Sequence, residues 1–259
     1  MDAVNRSRHI SGSGPSAQAW ARDAALAAVP AIALDFLVPP GSRAVVVAPH
    51  PDDEILTCGA LLHMLAQQAD APLIVAVTDG EASHPGSQTW PPERLRRERA
   101  RETESALACL GIGSEHVQRL GIPDGGVTAA EAELAGRLAA LLAPGDVVIT
   151  TWRFDGHPDH EATARACIAA ARRSGARVLQ APVWGWHWSA PGDGALPLAQ
   201  ARKLMPPEHA VARKRAALGC FHSQIEADGG TGAAPILPAF AMERVLHPFE
   251  LYFVGADHA

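Results

Sequence analysis

Residues 44–65 read AVVVAPHPDDEILTCGALLHML, and the fold turns on how that stretch is divided. Its first five residues are all apolar, with three adjacent valines and no polar alternation. Such a run is the mark of a strand covered on both faces rather than one. From Glu54 onward the apolar residues recur at helical spacing, so a helix is expected over about 54–69. Between strand and helix, His50, Asp52, Asp53 and Glu54 crowd into a short loop. A helix cap would account for one aspartate, since aspartate is a favoured N-cap residue. It would leave the histidine and the second acid without a purpose.

The same unit recurs along the chain. RAVVVAP (43–49), PLIVAVTDG (72–80), HVQRL (116–120), GDVVITT (145–151) and ARVLQAPVW (176–184) read as strands. Helices are expected at about 93–110, ending at Leu110–Gly111, at 129–142, and at 159–173 before Ser174–Gly175. Strand–helix alternation predicts parallel strands joined by right-handed crossovers. The expected fold is a Rossmann-like α/β three-layer sandwich with a mostly parallel sheet. Residues 1–18, polar and rich in glycine and serine, are expected to form a mobile or loosely docked leader. Residues 19–259 are expected to form a single domain, with the segment after 190 wrapping the active-site end.

Composition narrows the class. The chain has 259 residues, 47% hydrophobic and 19% charged, ordinary values for a soluble globular enzyme. A formal net charge of −6 and the lack of a basic stripe argue against nucleic acid as a partner. The one arginine-dense run, ERLRRERARE at 93–102, carries glutamates in nearly equal measure and reads as a solvated helix with internal ion pairs. Cys58, Cys109, Cys167 and Cys220 are widely spaced with no C-x-x-C, which fits free thiols in a reducing compartment. The first residues lack the apolar core of a signal peptide. Residues 24–38 are apolar-rich, but Pro30 and Asp35 interrupt them and the run is too short to span a bilayer. A soluble, cytoplasmic protein without a membrane anchor is expected.

The opening loop has a counterpart. PHPDDE (49–54) follows the first strand, and GHPDHE (156–161) follows the strand at 145–151. In an open parallel sheet, ligands bind beyond the carboxyl ends of the strands, so both loops belong to one edge and one candidate site. A catalytic zinc takes three imidazole or carboxylate ligands and keeps a fourth position open. His50 and Asp53, with His160 from the second loop, would supply that set, and Asp52 would remain beside it to accept a proton. Asp159 is expected to orient His157, as carboxylates orient histidines around metals.

APHPDDE resembles the signature of the LmbE-like zinc deacetylases, a family that includes N-acetylglucosaminyl-phosphatidylinositol de-N-acetylase (PIG-L) and the deacetylases of mycothiol and bacillithiol synthesis. Their second signature, His-x-Asp-His, is met by His157, Asp159 and His160. Further matches follow in order: VTDGE (77–81), RARE (99–102) before LG, RLGIPDGGV (119–127) and FHSQ (221–224). The resemblance covers roughly residues 43–225 and implies a Rossmann-like fold. It also implies His50, Asp53 and His160 as metal ligands, Asp52 as general base and His157 as the partner of the oxyanion. The activity it implies is zinc-dependent removal of an N-acetyl group from an amino sugar of the N-acetylglucosaminide type. Another divalent transition metal could replace zinc. Two alternatives stay open at this point, an amidase of thiol-sugar conjugates and a metal-retaining sugar-binding protein without turnover. A nucleotide-binding protein is opposed by the lack of G-x-G-x-x-G after the first strand.

Secondary positions are weighed alongside. Glu81 sits just past the second strand and could contact a substrate hydroxyl, or be a turn residue. Asp124 could bind sugar hydroxyls, although Pro-Asp-Gly is also a turn signal. Arg99 and Glu102 read by default as a surface pair, with the RARE match raising Arg99 as a substrate contact. Trp184, Trp186 and Trp188 are expected on one face of an extended segment, with His187 opposite. His222 is a candidate to close the site. The oligomeric state is not legible.

Overall fold

A computed structural model of the protein describes residues 8–68 and 71–254. Its centre is an eight-stranded sheet built from β1 (Ala31–Ile32), β2 (Ala44–Ala48), β3 (Leu73–Ala76), β4 (Val117–Arg119), β5 (Val147–Thr151), β6 (Arg177–Ala181), β7 (Ala201–Leu204) and β8 (Glu250–Phe253). The spatial order is β1-β7-β8-β6-β5-β2-β3-β4. Every pairing is parallel except those of β8, which runs antiparallel to β6 and β7.

Alternate residues of the central strands feed two cores. Val46, Ile74, Ile149 and Leu179 face one layer, where Ile55, Leu61, Leu62 and Leu107 meet them. Val45, Val47, Val75, Val148 and Val178 face the other, against Leu134, Leu138, Ala166 and Ala170. Side chains alternate across a strand, so a strand buried on both faces must be apolar throughout. That is why the valine runs lack polar alternation. The helices Asp53–Ala66 and Pro92–Leu110 cover the first face, Glu131–Leu141 and Pro158–Ser174 the second, giving the expected three-layer sandwich. Gly111 (φ 88°) and Gly175 (φ 75°) end two of these helices in the left-handed conformation, which glycine adopts without a Cβ clash. The helix begun at Asp53 stops at Ala66; its expected end at 69 lies outside the described residues.

The order of strands places the site. The chain lays β2, β3 and β4 in one direction, then returns so that β5 pairs directly with β2, Val47 opposite Thr150. The loops after β2 and β5 therefore meet where the winding reverses, the position at which open α/β sheets bind ligands.

The leader was expected to span residues 1–18; residues 1–7 lie outside the described part. Arg8 Nε donates to Glu161 at 3.0 Å, and His187 Nε2 meets the Ser11 carbonyl at 3.0 Å. The tryptophan segment departs from expectation. Gly185–Trp188 is a short helix, not an extended strand. Trp186 is buried edge-on against Trp20 with centroids 5.2 Å apart, Trp188 stacks on Trp152, and Trp184 lines the cavity described next. No helix among the described residues is long and apolar enough to cross a membrane.

Candidate metal centre and cavity

Three donor atoms converge where the two loops meet. His50 Nδ1 lies 3.2 Å from Asp53 Oδ2 and 3.3 Å from His160 Nε2, and His160 Nε2 lies 3.2 Å from Asp53 Oδ2. An ion held at about 2.0–2.1 Å by donors at tetrahedral angles sets them about 3.3–3.4 Å apart. The triangle thus has the edge a zinc-sized ion requires. The other nitrogen of His50 faces a second acidic pair, with Nε2 3.2 Å from Asp124 Oδ1 and 3.4 Å from Asp159 Oδ2. Those carboxylates already accept backbone N–H groups: Ala82 on Asp124 at 2.9 Å, Gly125 and Val127 on Asp159 at 2.7 and 3.3 Å. Asp53 Oδ2 likewise accepts the His50 N–H at 3.0 Å, so His50 with Asp124 and Asp159 could also hold an ion. The triangle, with all three edges between 3.2 and 3.3 Å, is the more compact candidate donor set.

Asp159 was expected to orient His157. The structure directs it to His50 instead, while His157 Nδ1 accepts from the Asp159 backbone N–H at 3.3 Å and so caps the helix Pro158–Ser174. The reason is local. Residues two apart at a helix start point in different directions, so the Asp159 carboxylate swings toward the 125–127 loop. His160 is braced by a residue not singled out from sequence, Asp155, whose Oδ2 lies 2.8 Å from His160 Nδ1.

Asp52 borders the triangle and lines the cavity. It sits at the N-cap position without a side-chain cap bond, so capping does not explain it. At φ 122° it is the one non-glycine among the described residues with positive φ, a strained conformation that neighbours must hold in place. Glu54 Oε2 accepts the Asp52 N–H at 3.1 Å. Arg99 Nη2 donates to the Pro51 carbonyl at 2.6 Å and to Asp52 Oδ2 at 3.1 Å, and Nη1 to the Gly80 carbonyl at 3.0 Å. Arg99 and Glu102 are therefore not a surface pair. Both are buried, and Glu102 instead accepts from the Ser223 backbone N–H at 2.7 Å and its hydroxyl at 2.6 Å. A sequence signal for this existed. Leu95, Arg99, Glu102, Ala106 and Leu110 are spaced by three and four residues, which is one buried stripe of the helix.

Charge is unevenly distributed in this pocket. Burial pushes the Asp52 carboxyl up to about 7, against the pull of Arg99. Burial would lower His160, but Asp53 and Asp155 outweigh it and hold the imidazole up at about 9. Burial opposes ionisation of Asp53 too, yet His160 and His50 keep it well below the carboxylate range. His157 is pushed down to about 3 by burial and by the charges of His160 and His50, so it is neutral at pH 7.

The donors open into a cavity of about 380 Å³. Asp124, Ser83 and Arg99 make its polar side; Leu56, Trp184 and Leu237 make its apolar side. Gln224 also lines it and was not picked out from sequence, although the FHSQ segment was. Glu81 is not among the lining residues. Its Oε1 accepts from Arg96 at 3.0 Å and from the Asp124 backbone N–H at 3.4 Å. His222 is exposed, pairs with Glu226 at 3.0 Å and does not line the cavity.

A doubly covered parallel sheet with a histidine–carboxylate triangle at its switch point defines an α/β protein with a candidate metal centre. Residues 45–171 match the PIG-L family model, described as GlcNAc-PI de-N-acetylase. It is 33% identical over 170 residues to a 1D-myo-inositol 2-acetamido-2-deoxy-alpha-D-glucopyranoside deacetylase of Mycobacterium sp. (strain KMS), a match covering 56% of this chain and 54% of that one. The chain thus spans about half the length of the curated relatives it matches. Among solved structures, the fold is similar to A40926 pseudoaglycone deacetylase (TM-score 0.59, 23% identity, 84% of this chain and 98% of that one). It is also similar to N,N'-diacetylchitobiose deacetylase from Pyrococcus horikoshii (TM-score 0.59, 16% identity, 76% of each chain).

Proposed function

We propose that this protein is a metal-dependent hydrolase that removes an N-acetyl group from an amino sugar, with zinc held by His50 Nδ1, Asp53 Oδ2 and His160 Nε2. The observation that carries the proposal is the donor triangle of 3.2–3.3 Å beside buried Asp52 in a sugar-sized cavity. A mixed imidazole–carboxylate set with an open side suits catalytic zinc. When bound there, such an ion supplies Lewis acidity that acidifies water and polarises a carbonyl.

The chain's own residues supply the rest. Asp52 accepts the proton of the attacking water as the water oxygen bonds to the acetyl carbon. Arg99 fixes the direction of that carboxylate from behind. Neutral His157 stands within reach of the cavity and donates a hydrogen bond to the developing oxyanion, an effect worth about 3–4 kcal/mol per donor in acyl transfer. The C–N bond then breaks, and a proton passes to the departing amine, leaving acetate and a free amino sugar. Asp124, on the cavity wall, accepts hydrogen bonds from sugar hydroxyls. The names of the family model and of the mycobacterial relative, both amino-sugar deacetylases, support the sugar substrate. Four free cysteines support a reducing, cytoplasmic setting.

The test is acetate release by zinc-loaded protein from a matched glucosaminide, deoxy-glucosaminide and acyclic acetamide. The glucosaminide should react best, because a hydroxyl missing opposite a buried acid costs about 1–3 kcal/mol. Equal rates across the set would remove the sugar from the reading. In Asp52→Asn, turnover should fall about 10²-fold or more with zinc retained; near-normal turnover would assign the base elsewhere.

A further inference from the structure

An imidazole can present Nε2 to a metal only if its proton sits on Nδ1, and in His160 the neighbour of Nδ1 is Asp155. That carboxylate is 0% exposed, and both of its oxygens are fully engaged. Oδ2 lies 2.8 Å from His160 Nδ1 and accepts from the Trp184 N–H at 3.0 Å. Oδ1 accepts from the Val183 and Gly185 N–H groups, each at 2.9 Å. The Asp155 main-chain carbonyl accepts from Trp188 Nε1 at 2.8 Å. Three successive amides gathered on one carboxylate bend the chain after β6. The bend is what turns the expected extended segment into the short helix Gly185–Trp188 and sets Trp184 on the cavity wall. One buried side chain thus touches a donor of the proposed metal triangle and shapes part of the cavity wall.

We infer that Asp155 is a positioning residue that sets the metal ligand and the cavity's aromatic wall as one unit, selecting the Nδ1–H tautomer of His160 while holding Trp184 against the substrate. The inference rests on the reading of His160 Nε2 as a ligand. It goes further, in that ligand geometry and substrate fit share a single support. A carboxylate can only accept here, so it fixes the tautomer; an asparagine keeps one accepting oxygen for four donors, so either His160 Nδ1 or the amides of 183–185 lose their partner.

The experiment uses the full chain labelled with ¹⁵N-histidine and loaded with zinc. Long-range ¹H–¹⁵N spectra should show His160 protonated at Nδ1, with Nε2 shifted on zinc binding. An Nε2–H tautomer would overturn the inference. A protonated Nδ1 with an Nε2 indifferent to zinc would overturn the ligand reading on which it stands. Asp155→Asn should lower zinc affinity about 10–100-fold and raise KM for an N-acetylglucosaminide. Trp184→Ala should raise KM alone, and should add little in the Asp155→Asn background. Wild-type zinc affinity in Asp155→Asn, or additive KM effects, would overturn the coupling. If Asp155→Asn fails to fold, the wild-type tautomer decides.

Discussion

The helix that carries Asp53 is broken, and the break makes a quantitative prediction about Glu250. At Cys58 the backbone leaves helical geometry (φ −146°, ψ 27°). Glu250, from antiparallel β8, accepts the Ala60 and Leu61 N–H groups at 2.8 and 3.0 Å. Lys214 Nζ donates to the Leu56 carbonyl at 3.0 Å and to Glu250 at 2.8 Å. The Tyr252 hydroxyl adds a fourth donor at 2.8 Å. Gly59 leaves room for this insertion, since a Cβ there would lie 2.9 Å from Lys214 Cγ. In Glu250→Gln, one amide oxygen cannot serve four donors, and the buried ammonium of Lys214 loses its counter-charge. Breaking a buried pair from one side costs about 3–5 kcal/mol. At about 2–4 °C per kcal/mol for a chain of this size, Tm should fall by about 6–20 °C in circular-dichroism melts. Lys214→Met should cost a similar amount. The double variant should lose about 1–3 kcal/mol less than the sum, because the partners share one interaction. A loss below about 1 kcal/mol in either single variant, or strict additivity, would refute this role of Glu250 and Lys214.

Two further outcomes follow from the site. In Gly80→Ala, at φ +66°, the new Cβ would lie 2.0 Å from Arg99 Nη1, so Arg99 must leave Asp52. Gly86, at φ +79° with nothing within 4 Å, is the control. Both alanine variants should cost about 1–2 kcal/mol from backbone conformation, but only Gly80→Ala should lose turnover, by about tenfold, and equal turnover in the two would count against the role of Arg99. The second outcome concerns pH. His160 is held up at about 9 in the metal-free triangle, and burial of His50 is outweighed by Asp124, Asp159 and Asp53, which hold it well above its usual range. Protons therefore compete with metal below those values, and affinity must fall as pH falls. Chelator competition from pH 6 to 9 should show zinc affinity rising about tenfold per unit for each proton displaced; a flat profile would mean that these imidazoles are not ligands.

The parts of the molecule legible in sequence are those whose partners lie nearby or repeat a pattern. β2 and β5 announce themselves because a doubly covered strand must be apolar at every position. His50, Asp53 and His160 are legible because each follows such a strand, and strand order alone brings the loops together. β8 escapes notice. ELYF carries only four residues, begins with a charge and runs against its neighbours, so nothing local marks it. Its glutamate acquires meaning only from Lys214 and from an amide, just past the helix break, 190 residues earlier. Asp155 hides for a similar reason. A single acid in FDGH looks like a turn residue, and its amide partners stand 28 to 30 residues downstream.

Asp159 shows the opposite failure, in which a near neighbour suggests the wrong partner. Spacing links it to His157, whereas the helix start separates their side chains and sends the carboxylate to His50. The consequence is a division of labour among five aspartates. In the proposed site, Asp53 supplies a donor. Asp124 and Asp159 fix one imidazole, and Asp155 fixes the other. That leaves Asp52 as the acid at the triangle's edge with no imidazole to serve. It is also the residue held in a strained backbone conformation, raised to about 7 by burial despite Arg99. Strain of this kind costs about 1–3 kcal/mol and persists only where surrounding contacts enforce it. Glu54 on its N–H and Arg99 on its carboxylate are those contacts. A carboxylate held in this way beside the candidate donor triangle is the one that the proposed proton transfer from water would use.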